Sequence, residues 1–161
     1  MIKKLLVVAL GAMVSAPAWA GVGTTATFSA TSDGPTWTPS LDYRAGGWLV
    51  QVHLLDLIGG LPNKVVNTGV DVTNVVVKRK VAQDVEGVLM PGIGARLFAD
   101  SGFETVGFNI VAKARIGAEI KQGMGFGVYV VPTIGASNLV TGDVGLAYGG
   151  GVEISAWFVK K

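Results

Sequence analysis

Residues 105–121, TVGFNIVAKARIGAEIK, alternate between two kinds of side chain with almost no interruption. Val106, Phe108, Ile110, Ala112, Ala114, Ile116, Ala118 and Ile120 share one parity, while Gly107, Asn109, Val111, Lys113, Arg115, Gly117, Glu119 and Lys121 share the other. A period of two sends successive side chains to opposite faces of a strand. On a helix the alanines and isoleucines would scatter around the axis, and Gly107 and Gly117 would each weaken the interior by up to about 1 kcal/mol. Ordinary strands run about five or six residues. A strand tilted across a bilayer needs roughly nine to eleven. This stretch is long enough to cross and continue past the headgroups, which points to a small transmembrane β-barrel.

The start of the chain fits export. In residues 1–20, MIKKLLVVALGAMVSAPAWA, Lys3 and Lys4 precede an apolar run, and Ala18-Trp19-Ala20 gives a small-x-small cleavage site. That is a three-part signal peptide, too short in its apolar part to span a bilayer comfortably. Residues 21–161 remain as one β-barrel domain. The chain carries a formal net charge of +2, which Lys3 and Lys4 supply, so the remainder is neutral and has no basic patch for nucleic acid. There are no cysteines, hence no lipid anchor at Gly21 and no disulfide. Half the residues are hydrophobic, yet no apolar run reaches the length of a transmembrane helix.

Six further segments alternate. They are residues 22–31, 41–55 (interrupted by Gly46-Gly47, where the parity swap predicts a β-bulge), 65–79, 85–98, 125–137 and 144–159. Between them, residues 32–39 and 80–84 read as turns, residues 56–64 as a connection, and Asp100-Ser101-Gly102, Gln122-Gly123 and Thr141-Gly142-Asp143 as tight turns. Seven strands are clear, while single-chain bacterial barrels have an even number. About eight are expected, the eighth lying in residues 32–40 or 54–64 or arising where a long segment folds back. Pro91 and Pro132 fall within strands and call for bulges or positions beyond the rim.

Alternation alone also fits a soluble lipocalin-like barrel, and the second face separates the two. It holds mostly glycine, threonine, serine and asparagine, and charged residues are only 15% of the chain. Small residues suit a narrow lumen that side chains just fill, so the apolar faces are expected to meet lipid. In this pattern the chain resembles the small outer-membrane barrels of Gram-negative bacteria, the OmpA- and OmpX-like group. Long alternating strands, short turns and aromatics near strand ends carry the resemblance over most of residues 22–159. Phe158 stands where that group closes its last strand with an aromatic, although Val159-Lys160-Lys161 follow. The resemblance implies an all-β, closed, antiparallel up-and-down barrel in the outer membrane, with lipid and the barrel-assembly machinery as partners.

Asp71, Arg96, Lys113, Arg115, Glu119 and Glu153 occupy the polar faces of different strands. They read as a lumen network: either a salt-bridge plug, the favoured reading, or the lining of a narrow selective pore. His53 is the only histidine, flanked by Val52 and Leu54, and reads as structural rather than catalytic. One histidine without cysteine makes no metal cluster. The glycine-rich GMGFG and GLAYGGG lack the phosphate-loop pattern, so no cofactor is expected. Trp37, Tyr43, Trp48, Phe98, Phe103, Phe126, Tyr148, Trp157 and Phe158 are girdle candidates. The function expected is non-enzymatic, structural or surface-interacting; a passive pore and a soluble periplasmic binding barrel are the alternatives.

Overall fold

The computed structural model describes residues 21–31, 34–54, 66–99, 106–122, 124–137 and 144–158. Residues 1–20, read as a signal peptide, residues 56–64, read as a connection, residues 100–102 and 141–143, read as turns, Phe103 and residues 159–161 lie outside the described residues. Nine strand segments are described: β1 (Gly21–Thr31), β2 (Gly34–Ala45), β3 (Trp48–His53), β4 (Val66–Asn74), β5 (Val77–Ala82), β6 (Val85–Ala99), β7 (Val106–Gln122), β8 (Met124–Ser137) and β9 (Gly145–Phe158). Each pairs antiparallel with its neighbour in the chain or, for β1 with β9, across the closure. β4 and β5 run one after the other along β6 and act as one strand. The result is a closed barrel of eight strands.

The register fixes the shape. Starting at Glu86 and following paired residues around the wall gives Glu119, Gly127, Ser155, Thr25, Ser40, His53, Gly69 and then Arg96, ten residues farther along the strand of departure. For eight strands at ordinary spacings, a stagger of ten sets a tilt of about 41°. Such a barrel is just wide enough for side chains to fill.

The eighth strand comes from both places where the sequence reading was incomplete. Residues 34–40, within a stretch that reads locally as a turn and was also one candidate for the missing strand, extend β2 and pair along β1 from Gly34 opposite Thr31. Pro35 and Pro39 signal a loop locally, but the Pro39 carbonyl still accepts the Leu54 N–H at 2.9 Å, and the β-branched and aromatic Thr36-Trp37-Thr38 suits a strand. Gly46-Gly47 is no bulge. Both have positive φ, 56° and 87°, which makes them a two-residue hairpin turn between β2 and β3. The segment read as 65–79 breaks at Val75-Val76, where the inward parity changes from odd in β4 to even in β5. Strand then continues to Ala82, so the turn expected at 80–84 shrinks to Gln83-Asp84.

That break explains Pro91. Opposite β6 the pairing passes from Leu89–Val77 to Gly92–Thr73, so Pro91 faces the bulge and no ladder bond is lost. Pro132 behaves differently: the β7–β8 ladder skips from Lys113–Thr133 to Ile116–Val130 without a change of register. The missing N–H costs a local gap rather than a bulge or a place at the rim.

The two faces decide between the barrel types. Ile93, Ile110, Ile116, Val128, Val130, Ile134 and Ile154 are all exposed on the outer wall, Ile116 at 51%. Inside, Asp71, Lys113, Arg115, Glu119 and Glu153 are buried. A lipocalin-like barrel would have the reverse. On β9, Tyr148 and Phe158 are both exposed on that wall. Their ten-residue spacing gives about 25 Å of height at this tilt, the height of an outer-membrane apolar band. Trp48, Phe126 and Phe158 gather toward the short-turn end, with Tyr43 half-buried beside them. Trp157 departs from the expected girdle: it is 3% exposed and points into the lumen.

Candidate functional site: the charged lumen

Inward side chains of seven strands meet on the barrel axis, and β7 contributes most. Its period-two face sends Lys113, Arg115 and Glu119 inward, at spacings of two and four residues. Lys113 Nζ lies 2.5 Å from Asp71 Oδ2 on β4 and 2.9 Å from Glu153 Oε1 on β9. Asp71 also receives the Arg96 guanidinium, with Nη2 at 2.7 Å from Oδ2, and His53 Nε2 at 2.9 Å. Arg115 Nε comes within 2.5 Å of Glu153 Oε2 without good hydrogen-bond alignment, and its Nη2 donates to Ser155 Oγ at 3.0 Å.

The network continues through an aromatic. The Arg115 guanidinium stacks on the Tyr129 ring at 4.3 Å, and the Tyr129 hydroxyl donates to Glu119 Oε1 at 2.7 Å. Arg44 on β2 binds the same Glu119 oxygen at 2.7 Å, donates to the Tyr129 hydroxyl at 3.1 Å and lies 3.6 Å over the Trp157 ring. From Arg96 through Asp71, Lys113, Glu153, Arg115, Tyr129 and Glu119 to Arg44, contacts run unbroken from one half of the lumen to the other. Beside them Thr25 donates to Asp42 Oδ2 at 2.5 Å and meets Ser155 at the same distance.

Glycine makes room for these groups. A Cβ at Gly94 would collide with the Asp71 carboxylate, one at Gly127 with the Tyr129 ring and one at Gly125 with the Trp157 indole. The alternation of small and large residues noted in the sequence is here a packing device: Asp71, Arg96, Tyr129 and Trp157 each lie over a glycine that leaves them room.

Electrostatically the lumen is balanced. Asp42, Asp71, Glu119 and Glu153, all buried, face Arg44, Arg96, Lys113 and Arg115, and a lone ion at such a depth would be very costly. Two cavities flank the network, about 380 Å³ toward the longer connections and about 550 Å³ at the short-turn end. Among the described residues none lines both, and Arg115, Tyr129, Asp71 and Gln51 line neither.

All six residues singled out from the sequence point into the barrel, in two linked groups: Asp71, Arg96, Lys113, Glu153 and Arg115 in one, Glu119 in the other. Sequence reasoning missed Arg44, Asp42, Tyr129 and Gln51 as members. All four had the right parity, opposite the apolar faces of their segments, and were passed over as single polar residues. His53 is buried against Asp71, which suits a structural histidine.

No protein-family model matches the chain, and no curated protein matches it in sequence. Among solved structures it is similar to Neisserial surface protein A, with a TM-score of 0.59 and 10% identity over 89% of this chain and 96% of that one. At that identity the likeness is one of fold, a small closed antiparallel barrel.

Proposed function

We propose that the mature chain is an outer-membrane β-barrel of a Gram-negative cell, sealed across its lumen, with a structural or surface-interaction role and no catalysis. The observation that carries this reading is the inverted distribution of side chains. A belt of exposed valine, isoleucine, leucine and aromatic residues surrounds a core of buried ions. Such a surface is unfavourable in water and favourable in hydrocarbon, at about 1.5–3 kcal/mol per large side chain covered. The sequence pattern of residues 1–20, which reads as an export signal, the outward-facing aromatics and the fold likeness to a surface protein support the same placement. Biogenesis then passes through the barrel-assembly machinery, with Phe158 near the terminal recognition position.

The sealed lumen favours a non-conducting barrel over a passive pore, since an ion would have to displace Arg115, which is fully buried, and Tyr129. The test is fractionation followed by electrophoresis and planar-bilayer recording. The reading expects recovery with outer membranes, a heat-dependent shift in mobility and no steady single-channel steps. Recovery in the osmotic-shock fluid would refute the membrane placement, and regular conductance steps would refute the seal.

A further inference from the structure

The short-turn mouth differs from the rest of the barrel wall. β3 pairs with β4 only as far as Trp48–Asn74, and Val75 N–H bonds the Gly47 carbonyl at 2.9 Å. Beyond that point β5 pairs with β6 alone, so among the described residues its other edge has no strand partner. The wall is thus open between the Gly46-Gly47 turn and β5. Open edges do not occur inside hydrocarbon, which places this gap at the headgroup level or below it.

The cavity of about 550 Å³ lies behind the gap. Its walls are apolar: Trp48, Leu49, Val75, Met90, Trp157 and Phe158 line it. Trp48 and Phe158 belong to the outer, lipid-side surface, whereas Leu49, Met90 and Trp157 belong to the lumen, so the cavity joins the two. Its charges are unequal. Among the described residues Arg44, Lys78 and Lys121 line it with Glu119 as the one carboxylate, which Arg44 meets at 2.7 Å and Lys121 at 3.4 Å; Glu86, just outside, serves both lysines at 2.9 and 3.2 Å, which leaves one positive charge in excess. Arg44 Nε is buried with no hydrogen-bond partner among the described residues. Next along β5, Arg79 and Lys80 are exposed and make no ion pair among the described residues.

We propose that this vestibule binds a single-chain anionic amphiphile, a fatty carboxylate. Its chain enters through the gap beside β5 onto Leu49, Met90 and Trp157, and its head group lies against Lys78, Lys121 and Arg44. The volume falls in the range of small-ligand sites. The surplus of cations at the rim selects an anion, and the apolar wall behind them selects a chain. This inference rests on the membrane placement above, because it takes the ligand from the adjoining leaflet.

Trp157 reports on the site. With Trp37 and Trp48 replaced by phenylalanine, it is the sole tryptophan of residues 21–161, and the lumen wall separates it from bulk lipid. The protein is placed in neutral phosphatidylcholine vesicles and titrated with dibromostearate, whose bromines quench indole on contact. Saturable quenching is expected, with the uncharged methyl ester about tenfold weaker, the loss of one charged hydrogen bond. The Lys78→Ala/Lys121→Ala pair, both partly exposed, should weaken binding to a similar extent while the fold persists. No quenching, equal quenching by the ester, or equal quenching from brominated phosphatidylcholine alone would overturn the site. Mobility shift and conductance are read on the same sample, so a folded, sealed barrel without quenching refutes this site and leaves the proposed function standing.

Discussion

Removing Asp71 should destabilise the barrel severely, and by an amount the contacts bound. Asp71 is fully buried and holds three cationic or potentially cationic partners: Lys113 at 2.5 Å, His53 at 2.9 Å and the Arg96 fork. Deleting one member of a buried pair typically costs about 3–5 kcal/mol, chiefly because the surviving charge is left unpaired. Here the survivors are unequal. Lys113 keeps Glu153 at 2.9 Å and Gln51 at 3.4 Å, and Arg96 borders the loop-end cavity, toward which it can turn. The expected loss for Asp71→Ala is therefore near the lower limit, about 3 kcal/mol. If the unpaired Lys113 charge is the main cause, Asp71→Ala combined with Lys113→Met should recover at least about 1 kcal/mol of it, a coupling typical of contacting groups. The assay is urea unfolding from lipid vesicles followed by tryptophan emission, with slopes compared so that a change in midpoint reports stability. A loss below about 1 kcal/mol for the single variant would mean that water reaches these ions, and the account of a dry plug would fail.

The same assay checks three further expectations. Ala114→Arg puts a charge on the outer wall opposite Pro91, near mid-height, and should cost about 2–4 kcal/mol; unchanged stability would mean that this face does not meet hydrocarbon. Gly47→Val forces a β-branched side chain into φ 87° and should cost at least about 1–2 kcal/mol; a neutral result would argue against the two-residue hairpin. Pro91→Ala should fall within about 0.5 kcal/mol of the parent, since Pro91 faces the β4–β5 break where a new N–H has no ladder partner to gain. A clear gain in stability would place Pro91 in a continuous ladder instead.

How much of this was legible in the sequence depended on the length of each alternation. β7, β8 and β9 each hold their period for fourteen or more residues, and their inward and outward faces agree with the pattern residue by residue. Where pairing rather than pattern decides, the reading failed. Residues 34–40 carry two prolines and a glycine, and only their partner β1 makes them a strand. Gly46-Gly47 interrupts an alternation in a way that fits a bulge and a hairpin equally well; the positive φ at both residues separates them. Among the site residues, those on long strands were visible because a charge amid glycines on one face is conspicuous. Arg44 and Trp157 share the parity of the polar faces, Arg44 opposite Leu41 and Tyr43 and Trp157 alongside Glu153 and Ser155; what the pattern does not carry is the contact between them, which only the pairing of the strands brings about.

The central claim is that the apolar parity of β7 looks into lipid and the charged parity into the lumen. The chain has no cysteine, so single cysteines can be introduced at each position from 106 to 120 and labelled with a nitroxide in bilayers. Collision with dissolved oxygen, which concentrates in hydrocarbon, should be high at even positions such as 110, 114 and 116 and low at odd ones such as 111, 115 and 117. High values at the odd positions, or no alternation at all, would contradict the account.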